Sequence, residues 1–95
     1  MKKLSLYSAA LVIALSTAAN AACYADYKAK RDNPLQLHYG VIKLSDQACG
    51  GINPKQVIAS RIAGEGWTLL NVLGTFDDAG LDRRRGNAGQ YFLRY

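Results

Sequence analysis

The sequence predicts a small α+β domain: a three-stranded antiparallel sheet of β-α-β-β order, a split β-α-β arrangement with one main helix and a disulfide staple. Three observations carry this. Residues 53–63 read as a capped amphipathic helix closed by glycine, Trp67 to Leu73 form the most apolar strand-like run, and Leu35 to Leu44 can place alternate residues on two faces. The chain has 95 residues, room for one small domain.

Met1-Lys2-Lys3 precedes an apolar run from Leu4 to Leu15 and then Ala19-Asn20-Ala21. A basic start, an apolar segment of this length and a small-x-small site are the marks of a secretory signal peptide, expected over residues 1–21 with cleavage after Ala21. Ser5, Ser8 and Ser16 interrupt the run and leave its apolar core short for a membrane span. Lipidation of Cys23 is the competing fate, but Asn20 stands where that signal wants an aliphatic residue. The expected location is therefore the periplasm or the exterior. The formal net charge is +5, and loss of Lys2 and Lys3 with the leader leaves +3. That is mildly basic, and export argues against a nucleic-acid partner.

So small a domain is marginal without a staple. Cys23 and Cys49 are the only two cysteines, and in an oxidising compartment such a pair reads as a disulfide. Closing that loop contributes about 3 to 4 kcal/mol in the chain-entropy account. Two cysteines and the lone His38 fall short of a zinc set, and no redox Cys-x-x-Cys is present. No cofactor is expected.

Residues 22–34 read as a polar, basic N-terminal arm, or a turn or two of helix, ending at Asp32-Asn33-Pro34, with the single domain spanning 35–95. Strand one, Leu35 to Leu44, carries Leu35, Leu37, Tyr39, Val41 and Lys43 on one face and Gln36, His38, Gly40, Ile42 and Leu44 on the other. Gly40 inside it predicts a bulge or close approach by a bulky neighbour, with Trp67 and Tyr91 the candidates. His38 reads as a partly buried hydrogen-bonding residue rather than a functional group.

The helix has Asn53 as its cap, Pro54 at its first position, Gln56 placed for a capping box, and an apolar face of Val57, Ile58 and Ile62. Gly64 or Gly66 ends it. Strand two follows with Trp67, Leu69, Asn71 and Leu73 on one face and Thr68, Leu70 and Val72 on the other. The connection from Thr75 to Ala88 is long for a hairpin, and Asp78 to Arg85 suits a short helical piece. Strand three, Gln90 to Tyr95, is expected between the other two. The second sheet face then needs a cover: the arm, the 75–88 connection, or a second copy in a homodimer.

Arg83-Arg84-Arg85 is the sharpest charged cluster, and its functional reading is an anion patch for a lipid phosphate, an acidic glycan or a carboxylate-bearing partner. Its structural reading is a solvated turn neutralised by Asp77, Asp78 and Asp82. Those aspartates lack EF-hand spacing and a closing glutamate, so calcium is not expected. Tyr39, Trp67, Tyr91, Phe92 and Tyr95 are read as core rather than a stacking platform. No Ser/His/Asp or Cys/His constellation and no phosphate-binding glycine loop is present.

Tyr39-Gly40-Val41-Ile42, the helix, Gly66-Trp67-Thr68-Leu69-Leu70-Asn71-Val72 and the closing Phe92-Leu93-Arg94-Tyr95 resemble a class of small bacterial domains of unknown function. In these a glycine-ended helix leads into a Gly-Trp-x-Leu strand. The resemblance spans residues 39–95 and implies the β-α-β-β order, but no activity. The function expected is that of a small exported, non-enzymatic binding module of the cell envelope. Anion binding at Arg83 to Arg85 is the alternative, and an enzyme inhibitor or enzyme comes third.

Overall fold

The computed structural model describes residues 22–45 and 53–95. The leader expected over 1–21 and Cys49 lie outside the described residues. Strands β1 (Cys23–Arg31) and β2 (Gln36–Leu44) form a hairpin, followed by helix α1 (Pro54–Ala63) and strand β3 (Thr68–Phe76). A 3-10 turn (Asp78–Gly80), helix α2 (Asp82–Ala88) and a second 3-10 turn (Gly89–Tyr91) complete the chain. The sheet has the order β2-β1-β3, with β1 antiparallel to both neighbours.

The α+β class and the three-stranded antiparallel sheet are as expected; the strand order is not. Residues 22–34 are no arm, because Cys23 to Arg31 form the central strand. The chain runs β-β-α-β, and the split β-α-β unit is built from β2, α1 and β3 around β1. Alternation explains the central position. Cys23, Ala25, Tyr27 and Ala29 point to one face and are buried, while Tyr24, Asp26, Lys28 and Lys30 point to the other. The alanines keep that first face low enough for α1 to pack on it.

Residues 90–95 do not form a strand. They leave α2 through Gly89 at φ 54°, and Leu93 at φ 56° breaks the extended path. Phe92 makes one isolated parallel bridge to Val41, and the Leu93 N–H donates to the Val41 carbonyl at 2.8 Å. Arg61 donates from Nη1 to the Lys43 carbonyl at 2.6 Å. Together these groups occupy carbonyls on the outer edge of β2, one of the ways in which sheet edges are protected.

The α1 cap forms as expected: Asn53 Oδ1 accepts from the Lys55 N–H at 3.0 Å, and Pro54 occupies the first turn. Ile58 and Ile62 are wholly buried, and Gly66, at φ 84°, supplies the left-handed residue after the helix. Gly40 is approached by Tyr27, not by Trp67 or Tyr91. A Cβ there would stand 2.5 Å from the Tyr27 hydroxyl oxygen. The tyrosine ring therefore lies across its cross-strand partner, a position only glycine leaves room for.

Strand β3 breaks register with β1 twice. Gly74 faces Asp26 and Val72 faces Tyr27, leaving Leu73 as an extra residue; Asn71 faces Lys28 and Leu69 faces Ala29, leaving Leu70 as another. These bulges place both Leu69 and Val72 against the α1-side core, correcting the simple alternation expected for this strand.

Candidate functional site

The first sheet face is covered by α1 and the terminal aromatic residues, with a cleft of about 450 Å³ left between α1 and the start of β3 at Trp67, Thr68 and Leu69. His38 is 8% exposed and stacks on Tyr91, with ring centroids 3.8 Å apart and planes at 15°. Trp67 meets it edge-on at 4.2 Å, and His38 Nε2 lies 3.0 Å from the Tyr27 hydroxyl in a hydrogen bond. Arg31 covers the Trp67 ring at 4.0 Å, and Trp67 Nε1–H donates to the Tyr95 hydroxyl at 3.1 Å. Burial, and then the positive charge of Arg31, push the imidazole down to about 4. His38 is thus a neutral core residue near pH 7, in line with the sequence reading.

The second face is closed over half its length. Tyr24, Val41 and Ala88 form its buried cluster, with Phe76, Leu81 and Phe92 packed around them. The 75–88 connection is therefore the cover at this end. What fastens it is a buried carboxylate: Asp26 Oδ2 accepts from Arg84 Nε–H at 3.0 Å and from the Tyr39 hydroxyl at 2.9 Å. Arg84 also donates to the Gly80 carbonyl at 2.7 Å and lies 3.9 Å above the Phe76 ring. Burial, with the Asp26 contact second, pushes Tyr39 up to about 12, so it remains a hydroxyl donor at physiological pH.

The arginine cluster is accordingly divided. Arg84 turns onto the sheet, while Arg83 and Arg85 stay exposed; Arg85 lies 3.6 Å from Asp82 and 4.4 Å from the Phe92 ring centroid. The aromatic residues are divided too. Trp67, Tyr91 and Tyr95 surround His38, whereas Tyr39 and Phe92 belong to the opposite face, so they make no single platform. Asp77 caps the 3-10 turn by accepting from the Ala79 N–H at 3.1 Å. Among the described residues no group of three or more His, Cys, Asp or Glu is placed to hold a metal.

The other half of the second face is open, and the sequence did not reveal it. Leu37 and Lys30 are cross-strand partners, as are Tyr39 and Lys28; Leu70 bulges from β3 beside them. They border a groove of about 280 Å³ lined by Lys28, Leu37, Tyr39 and Leu70 and floored by the strands at Ala29 and His38. Leu35, Leu37 and Leu70 are 64%, 66% and 46% exposed, far more than a sheet face turned to a core allows. Lys30 is engaged by Asp32 at 3.4 Å, whereas Lys28 is exposed and has no ion pair among the described residues. The signal that locates this surface is the alternation of residues 23–31, once they are recognised as a strand.

No known protein family, curated protein or solved structure matches the chain. The likeness to Gly-Trp-x-Leu domains therefore rests on the quoted residues of 39–95 alone, and the β-α-β-β order it implied is not the order of this sheet.

Proposed function

We propose that this chain is a small exported, disulfide-stapled binding module that acts at the cell envelope, in the periplasm or outside the cell, and has no catalysis of its own. Its contact surface is the uncovered half of the second sheet face. One observation carries this reading: exposed leucines border a groove on a face whose other half the protein seals with its own helix. Exposed apolar side chains that gather in one place mark an interaction site more often than chance.

Two features support the export half of the reading. The first 21 residues have the charge, apolar run and Ala-x-Ala end of a signal peptide. Cys23 is buried in the α1-side core and pairs in register with Leu44, five residues ahead of Cys49. A Cys23–Cys49 bond would tie the start of the central strand to the segment leading into α1.

Against an enzyme stands the burial of the only histidine within a ring of aromatic side chains. Anion binding at Arg83 to Arg85 is the weaker alternative, because Arg84 is engaged by Asp26. A homodimer through the open face is weaker as well. Two-fold pairing brings the same patch to both sides, and near the axis it sets Lys28 against its own copy.

The test is a Leu37→Asp, Leu70→Asp double variant. Both side chains are exposed, so its melting temperature is expected to stay within about 2 °C of the parent. The parent is expected to sediment with envelope fractions and the variant to be released. Equal sedimentation of the two would contradict the assignment of this surface.

A further inference from the structure

The open groove has a lining that selects among ligands. It is apolar along Leu37, Leu70 and the Tyr39 ring, and among the described residues its one charged lining residue is Lys28. Among the described residues no carboxylate belongs to its lining, and the Tyr39 hydroxyl is occupied by Asp26. A lysine can lay its methylenes on apolar neighbours and hold its ammonium at the rim. With no acidic partner among the described residues, that ammonium complements an anion brought by the ligand.

We propose that this groove binds a single-chain anionic amphiphile, its hydrocarbon lying along Leu37, Tyr39 and Leu70 and its carboxylate or phosphate head at Lys28 Nζ. This rests on the reading of the open half-face as the contact surface. It commits that surface to one anionic amphiphile held by its chain and head together, whether free or displayed by the envelope. The rest of the second face has no equivalent, because α2 covers Tyr24 and Val41 there.

Amide shifts of the mature protein should be followed by NMR during titration with decanoate, decyl phosphate and decyltrimethylammonium, each below its micelle concentration. Acetate and inorganic phosphate serve as chainless controls, and phosphatidylglycerol vesicles as the bilayer arm. Saturable shifts centred on Lys28, Leu37, Tyr39 and Leu70 are expected with both anionic chains. Binding of the cationic chain should be about three- to five-fold weaker, the scale of one exposed charge contact. Lys28→Glu should reverse that preference while leaving the spectrum otherwise folded. Equal binding of cationic and anionic chains, shifts spread over the whole surface, equal response to the chainless anions, or binding to vesicles alone would each overturn the proposal. Envelope sedimentation of the leucine double variant, scored separately, distinguishes loss of the ligand class from loss of the surface itself.

Discussion

Replacing Arg84 with alanine is expected to remove about 3 kcal/mol of folding stability, a large share for a domain whose total is about 0.1 kcal/mol per residue. The side chain of Asp26 is 10% exposed and that of Arg84 22%, so the carboxylate left behind stays largely desolvated. Asp26 Oδ1 already lacks a hydrogen-bond partner among the described residues, and removal of Arg84 leaves the tyrosine hydroxyl as the donor to Oδ2. The same substitution releases the Gly80 carbonyl and uncovers Phe76. Urea denaturation of a double-mutant cycle checks the cause. In an Asp26→Asn background no buried charge is stranded, so Arg84→Ala should cost at least about 1.5 kcal/mol less. An equal cost in both backgrounds would place the effect in packing, not in the ion pair.

Acid is expected to weaken the fold through His38. The folded imidazole holds its proton less tightly than an unfolded one, with a pKa of about 4 against 6.5. Between those values the unfolded chain binds more protons, so stability falls as pH falls through the window. The contribution is whole above pH 6.5, declines by about 3 kcal/mol on the way to pH 4, and changes no further below that. Tyr27 and Arg31 from β1, with Trp67, Tyr91 and Tyr95, face the ring, and none of these side chains is a carboxylate. Because His38 is the only histidine, its ring protons can be followed by NMR without ambiguity. They should show no titration above pH 5, and His38→Gln should flatten the stability profile between pH 6.5 and 4. A midpoint near 6.5, or parallel profiles for parent and variant, would contradict this.

The helix was legible in the sequence because its signals are local: a cap, a proline, an apolar stripe and a glycine stop lie within fourteen residues, Asn53 to Gly66. The central strand was not, although its period-two pattern is present. Asp26, Lys28, Lys30 and Arg31 give it the polarity of a solvated arm, and alanines supply much of its buried face. Those alanines are small because Tyr27 and the α1 isoleucines fill the space above them. Without that strand, the terminal aromatic residues are the remaining source for a third strand. Their alternation is real, since Tyr91 and Phe92 pack on opposite faces, but Leu93 in the left-handed region ends any ladder.

The site depended on the same missing strand. Asp26 and Arg84 are 58 residues apart, and no local pattern joins them. Helical geometry does bear on the arginine triplet, because three consecutive residues span too wide an arc to face one ligand together. The open groove becomes visible only when Lys28 is placed beside Tyr39 and across from the β3 bulge.

Export and a Cys23–Cys49 bond, both proposed above, are tested at once by intact-mass spectrometry of the native protein. The predicted result is a mass beginning at Ala22, lower by two hydrogens than the dithiol, that accepts alkylation only after reduction. A product that keeps Met1 to Ala21, or two thiols alkylated without reductant, would contradict it.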